Sequence, residues 1–139
     1  MVPTRIALAA MMVLLSTPAL ADDLTGKDRF LCSAHTATAC SEDGQCFTGT
    51  VYDLNMPQFV EVDLQTKRMT TTKASGLNRA TDIKNLLRQD DTIALQGSEY
   101  GKTFSFVISE KTGWLTVAVA SDGWAYSVFG SCTPMPGTK

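Results

Sequence analysis

Histidine is almost missing from this sequence, His35 being the only one in 139 residues. A mechanism in which imidazole moves a proton near neutral pH would have to run through that one side chain. The G-x-S-x-G and H-E-x-x-H patterns are missing as well, so no nucleophile with an adjacent base can be named. Charge is thin: 19% of residues are charged, the formal net charge is −2, and no basic run exceeds Lys67-Arg68. Nucleic acids and anionic membrane surfaces select clustered Lys and Arg, so neither is expected as a partner. The apolar run 6–15 is too short to span a bilayer.

What that run does resemble is the core of an export leader. Arg5 precedes it, and Thr17-Pro18 lead to Ala19-Leu20-Ala21, the small-x-small pattern of a secretory cleavage site. The expectation is that residues 1–21 are a cleaved signal peptide and that 22–139 form a single domain beginning at Asp22, periplasmic or secreted. Cleavage would remove Arg5 and no acid, leaving the domain slightly more acidic, and no cysteine stands at the cut to carry a lipid anchor.

Four cysteines lie beyond the leader, Cys32, Cys40, Cys46 and Cys132, and an even count in an exported domain points to disulfides. Cys40 and Cys46 flank Ser-Glu-Asp-Gly-Gln, whose Asp43-Gly44 is a turn signal, so this pair can meet at the mouth of a hairpin. Cys32 then pairs with Cys132. A zinc site built from the cysteines and His35 would need paired C-x-x-C knuckles, which do not occur, so no metal and no cofactor is expected.

The remaining sequence reads as short strands between turns. Residues 103–109 put Phe104, Phe106 and Ile108 on one face, 114–120 do the same with Leu115, Val117 and Val119, and 124–132 with Trp124, Tyr126, Val128 and Cys132. An inward Cys132 would carry Trp124 and Tyr126 inward, Trp124 as core filling. Earlier strands are expected at 29–36, 46–53, 58–64 with Val60, Val62 and Leu64 inward, 68–73, and 92–96 with Ile93 and Leu95. The stretch 81–89 fits two periods: Ile83, Leu86 and Leu87 are spaced for a helix, while Ile83, Asn85 and Leu87 would share a strand face. Strand is expected, since its neighbours are β and Asp90-Asp91 reads as a hairpin turn. The fold class is all-β, an antiparallel meander of about eight short strands. Such a sheet must cover or abolish its edges, and closure into a small barrel stapled by Cys32 and Cys132 at the two edge strands does so, although a two-sheet sandwich would satisfy the same staple.

Sites that look chemical mostly reduce to turns. Gly97-Ser98-Glu99-Tyr100-Gly101-Lys102-Thr103 ends like a phosphate-binding loop but has three residues between its glycines instead of four, and it opens a strand where that loop must open a helix. Asp22-Asp23, Glu42-Asp43 and Asp90-Asp91 lack the D-x-D-x-D-G calcium pattern and fall where solvated acids ordinarily sit. His35, beside Ser33 and Thr36, reads as a solvated histidine, and an enzyme would need it in a pocket with a carboxylate such as Asp53 or Glu61.

The succession Leu95-Gln96-Gly97, 104–108, Thr112-Gly113, Asp122-Gly123 and 128–133 resembles small exported proteobacterial proteins of unknown function, over residues 92–133. That resemblance implies no activity. In general plan the chain is also similar to the periplasmic inhibitors of C-type lysozyme, which are antiparallel barrels. Their Ser-Gly-x-x-Tyr segment is replaced here by Gly97-Ser98-Glu99-Tyr100 and their Trp-x-Lys-Gly has no counterpart, so no inhibitory residue carries over. The expected function is non-catalytic recognition of a protein by loops on a rigid scaffold, with Glu42, Asp43, Ser98, Tyr100, Lys102, Lys111 and Trp114 as the candidate contacts. The alternatives are a barrel that carries a small apolar ligand, which the bulk of the inward side chains argues against, and an enzyme using His35.

Overall fold

A computed structural model describes residues 22–136; the expected leader, 1–21, lies outside the described residues, as do 137–139. The domain is all-β, with ten strands: β1 Arg29–Ser41, β2 Cys46–Gly49, β3 Phe59–Asp63, β4 Arg68–Thr71, β5 Ala80–Asp82, β6 Asn85–Gln89, β7 Thr92–Glu99, β8 Lys102–Ser109, β9 Trp114–Ser121 and β10 Trp124–Pro134. They form one antiparallel sheet in the order β5-β4-β3-β1-β10-β9-β8-β7-β6, with β2 beside the far half of β1. The first and last strands pair along their whole length, Phe30 with Pro134 through Ser41 with Trp124, so the sheet curls into a half-barrel.

The expected full closure is not found, and the edges are not where the staple was expected to clamp them. β1 and β10, which carry Cys32 and Cys132, are central neighbours; the edges are β5 and β6, consecutive in the chain. The stretch 81–89 is a strand broken at its third residue, because it changes partners there. The Ile83 amide donates to Lys67 O (2.8 Å) and the next, Lys84, to Gln96 O (2.8 Å), on the opposite side. The break also shifts the face, so Leu86 is half-buried while Leu87, expected to share a face with Ile83, is 53% exposed and Ile83 is buried.

Other boundaries moved for local reasons. The strand expected at 46–53 ends at Gly49, where Thr50 and Asp53 form a capping box that starts a 3-10 turn, Val51–Leu54. The strand expected at 68–73 ends at Thr71, before a second 3-10 turn, Lys73–Ser75. β1, expected to stop at residue 36, runs to Ser41 across a bulge between Ala34 and Thr36. The extra residue there is His35, and it reverses the alternation. Phe30 and Cys32 point inward before it, Ala37 and Ala39 after it. Opposite the bulge β10 has Gly130, where an added Cβ would run into the Ser33 carbonyl.

Two-residue hairpins match their turn chemistry. Asp90-Asp91 takes φ of 52° and 58°, and Tyr100-Gly101 takes 49° and 74°, both positive as such turns require. The turn 99–102 is thus a hairpin between β7 and β8 rather than a phosphate cradle.

One end of the half-barrel, here the base, is solid. Leu24, Phe30, Ile93, Leu95 and Ile108 are fully buried. The segment before β1 closes this end: the Leu24 amide donates to Glu110 O (2.6 Å), and Arg88 holds the carboxylates of Glu110 and Asp28 (the latter at 2.9 Å) and the Leu24 carbonyl (3.3 Å). Glu110, only 7% exposed, is thereby paired. Both disulfides form as expected, Cys32–Cys132 across β1 and β10 and Cys40–Cys46 across β1 and β2. Two such bridges are those of an oxidising compartment. Among the described residues no helix is long and apolar enough to cross a membrane.

Candidate functional site

At the end opposite the base, the lumen is not filled. The inner positions of its walls carry short side chains, Ala34 on β1, Val60 on β3, Val117 and Val119 on β9 and Val128 on β10. Phe104 and Phe106 line the same space but pack edge to face against each other, centroids 5.6 Å apart. What is left is a cavity of about 140 Å³, open at the rim, whose lining includes Leu115 and Cys32 of the long-range disulfide. An engineered cavity of about 150 Å³ with apolar walls stays dry and admits benzene, so the space suits an apolar group of six or so carbons.

Trp124 and Tyr126 were expected to occupy that volume. They lie on the inner side of β10 as expected, but beyond the rim, where the wall continues past the lumen. Trp124 is 41% exposed, stacks on Tyr126 and meets Phe47 edge to face, centroids 6.4 Å apart.

The rim combines a backbone ledge with charge. On one side Asn55, Met56, Pro57 and Gln58 follow the 3-10 turn, and the Met56 amide donates to Val51 O (3.0 Å). On the other, Arg79 grips Glu99 by two hydrogen bonds, Nη2 at 2.7 Å and Nε at 3.2 Å, joining the chain before β5 to β7 across the seam. The Arg79 hydrogen bond holds the Glu99 carboxyl below its ordinary range, and the same bond raises Arg79. Lys102 lines the cavity at the start of β8, with its ammonium 5.3 Å from the Tyr126 ring centroid.

Of the loop residues singled out from sequence, the fold brings Tyr100 and Lys102 to this rim. Tyr100 is 83% exposed, with the Arg79 guanidinium 5.9 Å from its ring centroid. Ser98 is exposed on β7. Glu42 and Asp43 lie in the turn after β1, grouped with Asp122 and Trp124; Asp43 accepts from the Ser41 hydroxyl, which lowers its pKa. Lys111 and Trp114 are at the base end, Lys111 paired with Asp91 and Trp114 66% exposed. The seven residues therefore do not form one surface. His35 is exposed in the bulge, its Nε2 3.4 Å from Ser131 Oγ, while Asp53 is engaged with Thr50. Sequence reading missed Arg79, Glu99 and Met56. Arg79 and Glu99 are distant in the chain and meet only because β5 and β7 face each other over the seam.

Among the described residues no group of His, Cys, Asp and Glu is arranged to hold a metal ion. No family model matches the chain, and no curated protein is significantly similar to it.

Proposed function

We propose that this protein is a non-catalytic binding domain of the periplasm or the secreted fraction, exported with cleavage after Ala21, that holds the apolar part of a small molecule in the open end of its lumen. The observation that carries the reading is the cavity of about 140 Å³ with largely hydrocarbon walls and an open rim. It favours the internal ligand over protein recognition because, of the inner side chains expected to fill a barrel, Trp124 and Tyr126 stack beyond the rim and Ile108 is at the base, while Phe104, Phe106, Leu115, Val117 and Val119 line the space without filling it. Six buried methylenes at about 0.8 kcal/mol each give about 5 kcal/mol, a Kd on the order of 0.2 mM for a plain hydrocarbon tail.

The test is titration of the oxidised domain with 1-octanol, followed by calorimetry and by the methyl resonances of Val117, Val119 and Val128. Saturable one-to-one binding with shifts confined to those methyls is the expected result. Shifts spread evenly over the surface, or no saturation at millimolar octanol, would refute it. A second reading, protein recognition at the rim, is favoured by the exposed Phe47 and Trp124 pair. It predicts that Trp124→Ala abolishes retention of a periplasmic protein while leaving octanol binding intact.

A further inference from the structure

We infer that the ligand of the lumen is an amphiphile with a single negative charge at its head, a monocarboxylate with a tail of about six to eight carbons, and that Lys102 is the residue that selects the head. This rests on the reading of the lumen as an apolar site. Three charged side chains line the cavity: Arg79, Glu99 and Lys102. Two of them cancel, since Arg79 and Glu99 form a two-point ion pair with side chains that are 29% and 21% exposed. Lys102 remains. Among the described residues no carboxylate forms a salt bridge with it; Glu99, its cross-strand partner, feels its charge but is bonded to Arg79, and the ammonium lies over the face of Tyr126, at 5.3 Å, so the three side chains leave one net positive charge at the rim. A cation on a ring face keeps its N–H donors on the side away from the ring, so the ammonium can still donate to an oxyanion.

Position and charge then agree. A tail in the lumen leaves its first atoms at the rim, between Lys102 and the Asn55–Gln58 ledge. Arg79 gives Nε and Nη2 to Glu99, which leaves Nη1 as a further donor on the same rim. Glu99 is held ionised by Arg79 and would repel a second negative charge, so a dianionic head is disfavoured relative to a monoanion. A cationic head would face a rim with one net positive charge and is disfavoured.

The experiment compares octanoate, 1-octanol and octylammonium on the oxidised domain at pH 7 by calorimetry, with wild type, Lys102→Met and Lys102→Arg. The expected result is that octanoate binds at least about fivefold more tightly than octylammonium, that Lys102→Met weakens octanoate about fivefold and leaves octanol within about twofold, and that Lys102→Arg restores octanoate. Octanol binding to Lys102→Met shows that the variant is folded with its lumen intact. If octanol binds but octanoate and octylammonium bind alike, or if Lys102→Met lowers all three equally, the headgroup inference is overturned while the apolar site stands. If octanol itself does not bind, the reading of the lumen fails and this inference with it.

Discussion

Replacing Ala34 by leucine decides whether the lumen is space or packed core. Ala34 is on the inner face of β1 beside the bulge, lines the cavity, and keeps its backbone bond to Gln58 O (2.8 Å) whatever its side chain. Leucine adds three carbons. If they enter an empty apolar cavity, their burial contributes up to about 2.4 kcal/mol, less about 1 kcal/mol of rotamer entropy, a net stabilisation of about 1 to 2 kcal/mol. For a domain of this size that raises the thermal midpoint by about 5 °C. The same carbons occupy much of the space an octanol tail would use, so binding should fall below detection. Differential scanning calorimetry gives the first quantity and titration the second. In a well-packed core the change would overpack and cost about 1 to 3 kcal/mol. The sign is therefore the test: a midpoint several degrees lower, or octanol binding unchanged, would refute the assignment of the cavity.

Three further outcomes are expected. Replacing Cys32 and Cys132 together by alanine opens a bridge with a sequence separation of 100 and should cost about 4.7 kcal/mol in the chain-entropy model, against about 2 for the Cys40 and Cys46 pair with a separation of 6; chemical denaturation of both double variants measures the difference. Arg88→Met should cost about 3 kcal/mol, because it strands the buried Glu110 carboxylate, and hydrogen exchange at the Leu24 amide should accelerate far more than at Ile93. Glu99 has its pKa lowered in the folded state by Arg79, so its contribution is present above its ordinary value of 4.5 and is lost as pH falls through the lower folded value; a pH series of thermal midpoints should drop less steeply below pH 4.5 in Glu99→Gln than in wild type.

Both disulfides and the hairpins of the C-terminal half were legible in the sequence because their signals are local. Asp43-Gly44 sits between the cysteines it brings together, and Phe104, Phe106 and Ile108 alternate without interruption against β7 and β9. Alternation fails wherever a strand changes partner or gains a residue. The bulge at His35 leaves no mark in composition yet reverses which residues of β1 face inward, and the break at Ile83 makes one expected strand into two edges. The candidate site was the least legible part. Its walls come from eight strands, its ion pair joins residues on either side of the seam, and its volume depends on where Trp124 stands along β10. Inward parity says which side a ring takes; it does not say whether the barrel extends that far.

The cavity carries a stability argument of its own. At about 24 cal/mol per Å³, the cost of a closed void, a volume of about 140 Å³ that opens at its rim costs the fold at most about 3 kcal/mol. One or two larger residues at Ala34 or Val60 would remove that cost, and such changes are easily reached by single substitutions. A domain of this size is marginal enough that 3 kcal/mol is a large share of its net stability. Cys32 of the long-range disulfide lines the cavity, and by the loop-entropy estimate of about 4.7 kcal/mol the bridge contributes stability of the same order as the most the void withdraws. The base shows the same division: Arg88 ties the Leu24 segment down, so closure is complete where no opening is used, while the opposite end has small side chains and a charged rim. A lumen left open at one end, with a bridged cysteine in its lining, fits the proposed binding of an apolar tail. Removing the disulfide should therefore weaken octanol binding as well as lower the midpoint, because Cys32 belongs both to the staple and to the cavity lining. If octanol affinity survives unchanged in the Cys32→Ala, Cys132→Ala variant at a temperature where that variant is still folded, the coupling between staple and site is wrong.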